Sequence, residues 1–386
     1  MLKTYRYRLY PNKSQEQALQ NMLFLCCLVY NRCLAERRDA WQNERKTLTA
    51  YDQINKLPLW KKEDPRLKEA NSQVLQDAVR RLDKAFQAFF RRVKAGEKPG
   101  YPRFKSERRY DSFTYPQGNF RIQNRRISLS RVGLVKIKEH RPLQGKVKTL
   151  TIRRQVDGWY ACFSVEVEPV ILPPSQKAIG IDLGVESFAI TSEGEFFPAA
   201  NHLRKAEQKL KRLQRIVTRR RKGSNSRRKA VKLLARAHLR VANQRKDTAH
   251  KVSRSLVNRY GLIAVEDLNI QGMLSNHHLS KSIIDAGWRI FVNILKAKSA
   301  EAGRQVIEVD PRNTSQDCSG CGVLVPKTLS QRWHACQGCG TSLHRDVNAA
   351  RNILRKAVSL TQIWARTEPS GIASVGWLDD PRSPAL

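Results

Sequence analysis

From residue 2 to 10 apolar and charged positions alternate, with Tyr5, Tyr7 and Leu9 set against Arg6 and Arg8. That period of two predicts a strand, and Pro11-Asn12 stops it. Ser14-Gln15-Glu16-Gln17 reads as a capping box that opens a helix with Leu19, Met22, Leu23, Cys26, Val29 and Tyr30 on its apolar side. A second helix is predicted over about 71–93, where Val74, Ala78, Leu82, Ala85, Phe89 and Val93 step by three and four. Beyond residue 111 the period returns to two. Segments 120–123, 126–129, 134–138, 147–154 and 159–168 read as short strands between Gly, Asn and Pro turns. They suggest a small barrel, which the isolated first strand would complete, with residues 13–110 inserted into it.

A stiff linker at 169–174 follows. Strand-like 178–183, a hairpin through Ser192-Glu193-Gly194, long basic helices, an apolar strand at 262–265, a helix near 283–302 and a strand at 305–309 then alternate, which implies a mixed α/β sheet. Residues 370–386 lack any period and read as a flexible tail.

Charge narrows the function. The chain has 386 residues, with 72 Lys+Arg against 34 Asp+Glu and a net charge of +38. Such an excess repels itself unless a polyanion offsets it, and nucleic acid is the abundant polyanion. A ribosomal-type basic protein without chemistry and a membrane-surface protein are the rival readings. The longest uncharged apolar run, residues 22–30, is under half of the roughly 20 residues a span needs, and no signal-peptide block is present. A protein of the prokaryotic cytoplasm, associated with the nucleoid and without membrane contact, is expected. Residues 203–254 carry 20 Lys+Arg against only Glu207 and Asp247. Leu203, Ala206, Leu210, Leu213 and Val217 stripe one helix there, and Leu233, Leu234, Ala237 and Val241 another. Gly223-Ser224-Asn225-Ser226 joins them, so a helical hairpin packed on the sheet is expected, its basic faces cradling a phosphate backbone.

Three acids stand out. In Ile179-Gly180-Ile181-Asp182-Leu183-Gly184, alternation puts Asp182 on one face between two glycines, clear of side-chain bulk, while the aliphatic residues pack the other. A similar strand opens the actin-like ATPases and sugar kinases, which rarely carry such basic charge. Glu266 ends the buried run Leu262-Ile263-Ala264-Val265, where a charge persists only if it is paired or binds a metal. Asp346 lies in the first turn of a helix carrying Ala349, Ala350 and Ile353; a kinase-like His-Arg-Asp is excluded, since Asn348 follows after two residues and not five. Three separated carboxylates brought to one sheet edge are what two-metal phosphodiester hydrolysis with Mg²⁺ requires. Cys318-x-x-Cys321 and Cys336-x-x-Cys339 have zinc-ribbon spacing and predict one structural Zn²⁺ with a closed four-thiolate shell. Cys26, Cys27, Cys33 and Cys162 read as buried packing residues, and His334 as a spare histidine outside the metal shell.

Together these residues carry a resemblance. Asp182 in IGIDLG, Glu266 in VEDL, Asp285-Ala286-Gly287-Trp288, Thr314-Ser315-Gln316 before the first cysteine pair, and Arg345-Asp346-x-Asn348-Ala349-Ala350 resemble, in order, the transposon-encoded TnpB proteins. Arg8-Leu9-Tyr10-Pro11 and Val29-Tyr30-Asn31 are similar to that family too, so the likeness covers nearly the whole chain. The family is related to type V CRISPR effectors. The resemblance implies an RNA-guided DNA endonuclease with a RuvC domain of RNase H-like fold over 173–311 and 341–369. A zinc ribbon at 312–340 would be inserted into it to load the target. A wedge barrel would be formed by 1–12 and 111–172, and a helical recognition lobe by 13–110. It further implies that Asp182, Glu266 and Asp346 are the catalytic ligands of two Mg²⁺ ions. One protein monomer would bind a guide RNA from the transposon end and cut complementary double-stranded DNA beside a short motif. Gln76 is a candidate reader of that motif, and Arg219, Arg220, Arg221, Arg227 and Arg228 are candidate nucleic-acid contacts. A DNA-strand transferase, a nuclease-inactive RNA-guided repressor and a guide-independent junction resolvase remain as alternatives.

Overall fold

The computed structural model describes residues 1–367 except 117, 119, 274, 276 and 329; side chains are described apart from 271, 277–279 and 362–367. The expected tail at 370–386 lies outside the described residues. The chain divides into two compact units, Met1–Glu168 and Pro169–Leu386.

In the first unit β1 (Leu2–Tyr10) is followed by α1 (Lys13–Glu44), α2 (Ala50–Glu63) and α3 (Ser72–Lys94). The strands β2 (Ser112–Tyr115), β3 (Phe120–Gln123), β4 (Arg126–Leu129), β5 (Gly133–Lys138), β6 (Lys146–Gln155) and β7 (Gly158–Glu166) come next. One antiparallel sheet joins all seven strands in the order β2-β6-β7-β1-β5-β4-β3. The isolated N-terminal strand therefore does pair with the later ones: Tyr5 lies opposite Phe163, and Leu9 opposite both Trp159 and Ile137. Its Tyr5, Tyr7 and Leu9 face a core shared with Leu19, Met22, Leu23 and Cys26 of α1 and with Val74, Ala78 and Leu82 of α3. Helix α1 is long and apolar enough to cross a membrane by length and composition. Its apolar residues are spent on this core.

Two local expectations shift. The cap of α1 is Asn12, not Ser14: its side chain accepts from the Gln15 backbone at 2.8 Å, and Gln15 Oε1 accepts from Asn12 N at 3.1 Å. Helix α2 was absent from the sequence reading because Pro58 interrupts a polar segment; the structure closes a capping box between Thr49 and Asp52 and runs the helix through that proline.

In the second unit β8 (Ala178–Asp182), β9 (Ser187–Thr191), β10 (Phe196–Pro198), β11 (Leu262–Glu266) and β12 (Gln305–Val309) form a sheet in the order β10-β9-β8-β11-β12. The three strands β8, β11 and β12 are parallel, and β9 and β10 antiparallel. Between β10 and β11 run α4 (His202–Arg219) and α5 (Asn225–Arg259). After β11 come α6 (Ile270–Met273), α7 (His277–Ala286) and α8 (Trp288–Ala302), and β13 (Trp333–Ala335) and β14 (Ser342–His344) lead into α9 (Arg345–Thr367). The predicted helix at 283–302 is two helices, broken at Gly287, whose φ of +68° only glycine adopts without strain.

Alternation along the strands divides the two faces. Ile179, Ile181, Ile263 and Val265 pack with Leu256 and Val257 of α5 and Phe291 and Leu295 of α8. Ala264, Ile307 and Val309 pack with Ile353 and Ala357 of α9 on the other side. Gly180 faces α9 so closely that an added Cβ would lie 2.0 Å from Ala350 O. The basic hairpin exists, but only the last part of α5 joins the sheet core; α4 and the first part of α5 pack on each other. Leu233, placed on the apolar stripe by its spacing, points outward and is 54% exposed, and Ala230 is buried instead. Ala230, Leu234, Ala237 and Val241 follow the helical repeat on one face, whereas Leu233 lies about 100° around the helix from Leu234, at the edge of that face.

Candidate active site

The register of the parallel strands builds one edge of this site. Val265 pairs with Ile181, so the next residues, Glu266 and Asp182, stand side by side at the carboxyl ends of β11 and β8. Ligands of open α/β sheets collect at such carboxyl ends. Helix α9 crosses beneath, held against β8 by the missing side chain of Gly180, which sets Asp346 in its first turn. A carboxylate there is favoured by the positive end of the helix.

Electrostatics mark the three as one group. The Asp182 carboxyl is pushed well above the usual carboxylate range, first by burial, then by Glu266 and Asp346, with Arg345 opposing. Burial also raises Glu266, against the Thr314 hydroxyl and the Lys356 ammonium. Glu266 is 8% exposed, and Thr314 Oγ1 donates to its Oε1 at 2.6 Å. Asp346 accepts from Arg345 Nε at 3.2 Å, and Arg345 reaches Gln331 O at 3.1 Å. A buried carboxyl whose proton affinity is raised by two neighbouring carboxylates belongs to a donor set suited to divalent cations.

The four paired-motif cysteines form a second cluster of ionisable groups. Cys318 and Cys339 are 3.6 Å apart at sulfur, as are Cys321 and Cys336. All four sulfurs lie within 4.8 Å of one another, the only such donor set among the described residues. These separations far exceed a disulfide bond of about 2.05 Å and match the roughly 3.8 Å edge of a tetrahedron with 2.3 Å metal–sulfur bonds. Burial opposes ionisation at Cys318, yet N–H groups of Cys321 and Gly320 and the His334 ring bring its thiol down to about 5. Cys321 moves the other way, to about 12: the Val323 N–H is outweighed by hydrogen bonds with Cys339 and Cys336. Adjacent thiols that cannot all ionise together are the state a bound cation resolves.

The sequence matches the IS605 OrfB family, "Probable transposase", over residues 162–277, the "Cas12f1-like, TNB domain" over 288–353, and an IS605 OrfB "Helix-turn-helix domain" over 1–46. It is 33% identical over 374 residues to the "Putative RNA-guided DNA endonuclease InsQ" of Escherichia coli K12, covering 92% of both chains. The chain belongs to the TnpB family. A second relative, the "Putative RNA-guided DNA endonuclease" of Streptomyces pristinaespiralis, is 34% identical over 361 residues, 91% of this chain and 88% of the relative. The fold alone is similar to the mini-RNA-guided endonuclease CRISPR-Cas_phi3, with a TM-score of 0.50, 10% identity and coverage of 93% and 92%. In this TnpB-family chain the segment matched as helix-turn-helix is β1 and α1, a strand followed by a single 32-residue helix.

The roles of two asparagines, Asn348 of the motif and Asn352 beyond it, become visible only in the structure. Asn348 Oδ1 accepts from Ser319 N at 2.8 Å, and its Nδ2 donates to Asp317 O at 2.7 Å. One turn later, Asn352 Nδ2 reaches Asp317 O at 2.6 Å and Thr314 O at 2.9 Å. The two asparagines thereby tie the sulfur knuckle to the helix carrying Asp346. Two buried amides at i and i+4 on the inward face of an apolar helix were the available signal. Among the candidate contacts, Gln76 is half-buried on α3. Arg219, Arg220, Arg221 and Arg228 are exposed at the hairpin tip, whereas Arg227 is half-buried and donates to Val217 O at 2.7 Å and Arg220 O at 3.0 Å. Arg227 closes the turn.

Proposed function

We propose that the chain is an RNA-guided DNA endonuclease of an insertion sequence, which binds a guide RNA from the transposon end and hydrolyses complementary double-stranded DNA next to a short motif. The observation that carries the reading is that Asp182 and Glu266 stand side by side at the carboxyl ends of β8 and β11, with Asp346 of α9 close enough to act on the Asp182 carboxyl. They would hold two Mg²⁺ ions, which supply an activated water and neutralise charge on the attacking and leaving oxygens. Their donors are spread more widely than the four sulfurs, as suits two ions about 3.5–4 Å apart rather than one. Thr314 fixes one oxygen of Glu266, and the asparagine clasp fixes the first turn of α9. The second unit takes the role of a RuvC domain of RNase H-like fold, with one Zn²⁺ closing the Cys318, Cys321, Cys336 and Cys339 knuckle as a structural ion.

On this reading the seven-stranded sheet serves as the wedge, the 13–110 helices as the recognition lobe with Gln76 as motif reader, and the hairpin cations as a track for phosphates. Base pairing supplies sequence choice and the protein holds backbones by charge. One protein per guide RNA, acting in the bacterial cytoplasm, is the simplest assembly. A strand transferase would use the same acids, and a family-model name favours that second reading; joined products from pre-cut transposon ends would establish it.

Asp182→Ala is the direct test. Guide-matched DNA should be cut at least about 10²–10³-fold more slowly, the cost of losing one preorganised electrostatic contact. RNA retention on a gel-shift assay should be unchanged. Wild-type cutting by this variant would overturn the site.

A further inference from the structure

The apolar positions of α3 run on past the core they serve. Leu82 and Phe86 are buried, but Phe89 is half-buried, and Phe90 and Val93 are exposed. After α3 the chain from 95 to 111 forms neither helix nor strand, and Tyr101 and Phe104 in it are exposed as well. Phe86, Phe90, Phe89 and Tyr101 make a closed circuit of ring contacts, with successive centroids 6.3, 5.2, 5.5 and 5.5 Å apart. Phe90 is 58% exposed, Phe104 52% and Tyr101 47%. Single exposed rings are ordinary, whereas a contiguous group of them marks an interaction site.

This aromatic surface is held in place before anything binds. Asn31 of α1 clamps the irregular segment: its Nδ2 donates to Lys105 O at 2.8 Å, and its Oδ1 accepts from Lys105 N at 2.9 Å. Pro102 is buried, and the Arg37 guanidinium lies 5.2 Å from the Phe86 centroid. A surface pinned in this way loses little further freedom on docking. It is also strongly cationic. Residues 91–109 carry eight Lys+Arg against Glu97 and Glu107. Cations stand at the rings themselves: the Arg38 guanidinium lies 5.5 Å from the Phe104 centroid, and Arg92 reaches Gly100, next to Tyr101.

We infer that Phe90, Tyr101 and Phe104 form a stacking platform for unpaired bases of the RNA partner, with the surrounding cations holding its phosphates. Aromatic rings beside a basic track suit single-stranded nucleic acid, because every base has a π-face and its backbone phosphates run alongside. A second copy of this chain would bring the same cations face to face, and a duplex hides its base faces. Target DNA is met only for cutting, and an aromatic surface left open between such encounters invites aggregation. The standing partner is the RNA. The inference rests on the RNA-guided reading and adds to it where unpaired RNA docks.

The two fail differently. Wild-type full-length chain that purifies without RNA overturns the RNA-guided reading and the platform with it. RNA that does co-purify, sequenced, transcribed and end-labelled, is the probe. Phe90→Ala combined with Tyr101→Ala should weaken its binding to the full-length chain about 5–150-fold, the loss of stacking one base. The dependence of affinity on salt should keep its slope, because no cation is removed, whereas Arg91→Ala with Arg92→Ala should flatten it. Phe90→Leu keeps apolar bulk without a flat face and should bind as weakly as Phe90→Ala; Phe90→Trp should bind at least as tightly as wild type. Ultraviolet crosslinking of the wild-type complex should join RNA to peptides containing Phe90, Tyr101 or Phe104. Wild-type affinity in the double aromatic variant, or crosslinks confined to other segments, overturns the platform and leaves the RNA-guided reading standing. Unchanged RNA affinity with loss of a dimer on light scattering would assign the surface to a second copy and overturn the platform too.

Discussion

The acid cluster and the sulfur knuckle are both gatherings of anionic groups, and they resolve their repulsion in opposite ways. The four sulfurs are drawn within 4.8 Å of one another, served by backbone N–H groups and Thr341, with a geometry that fits one ion and leaves no open position. The three acids come from two strand ends and a helix start, stand wider apart, and leave Asp182 with a strongly raised proton affinity. A closed donor shell stabilises local structure; an open and strained one keeps room for substrate and a reacting water. The asparagine pair on α9 connects them, so that the knuckle braces the helix whose first residues include Asp346.

Perturbing each side separately should show that division. After Asp182→Ala, the largest loss is expected from Cys318→Ser. Structural zinc contributes about 10–16 kcal/mol of binding energy in small zinc modules, so the 312–344 region should lose zinc and become protease-sensitive, and cleavage should fall with it. Limited proteolysis and metal analysis check this. Gly180→Ala probes the connection without touching either set of donors. Its Cβ would meet Ala350 O at 2.0 Å, so α9 must shift, at a cost of about 3 kcal/mol, the upper end for overpacking. Thermal unfolding should show the loss, and cleavage should drop even where zinc content is normal.

Thr314→Val should have a narrower effect. It removes the 2.6 Å hydrogen bond to Glu266, worth about 1.5–3 kcal/mol for a charged acceptor. Single-turnover cleavage should slow about 10–100-fold with zinc retained; equal rates would mean that Glu266 needs no such anchor. The smallest effect is one of stability and pH. Burial, then Glu266 and Asp346, raise Asp182 above its unfolded value, so the folded chain without divalent ions binds that proton more tightly than the unfolded chain. Stability therefore falls as pH rises from the ordinary carboxylate range through the raised value. Asp182→Asn should melt at a higher temperature than wild type at neutral pH in EDTA, and the two curves should converge below about pH 4. A wild-type chain that is the more stable of the two at neutral pH would remove the electrostatic account of the cluster.

What the sequence made legible was whatever depends on short-range pattern. Alternation around Asp182 correctly separated the core-facing isoleucines from the face that meets α9, and the cysteine spacing located the sulfur set. Pairing of β1 with β7 and β5 followed from a strand that needed partners. The sequence reading gave no role to residues that act through tertiary contact, even where, as with Thr314 and Asn348, they stood in its motifs. Thr314, Asn348 and Asn352 are ordinary polar residues until folding brings them to Glu266 and to the knuckle backbone. Arg227 looked like a phosphate contact because charge alone does not reveal that Val217 and Arg220 carbonyls occupy its guanidinium. Helix α2 was hidden because a proline inside a helix opposes local propensity and is tolerated only where packing, here of Leu57 and Trp60, compensates.

Manganese-soaked crystals, with diffraction recorded at the manganese edge, address the central claim most directly. The account predicts anomalous peaks flanked by the carboxylates of Asp182, Glu266 and Asp346, with the Arg345 guanidinium turned from Asp346 and no manganese in the sulfur knuckle. Manganese bound elsewhere, with these carboxylates unoccupied and Arg345 still paired to Asp346, would contradict it.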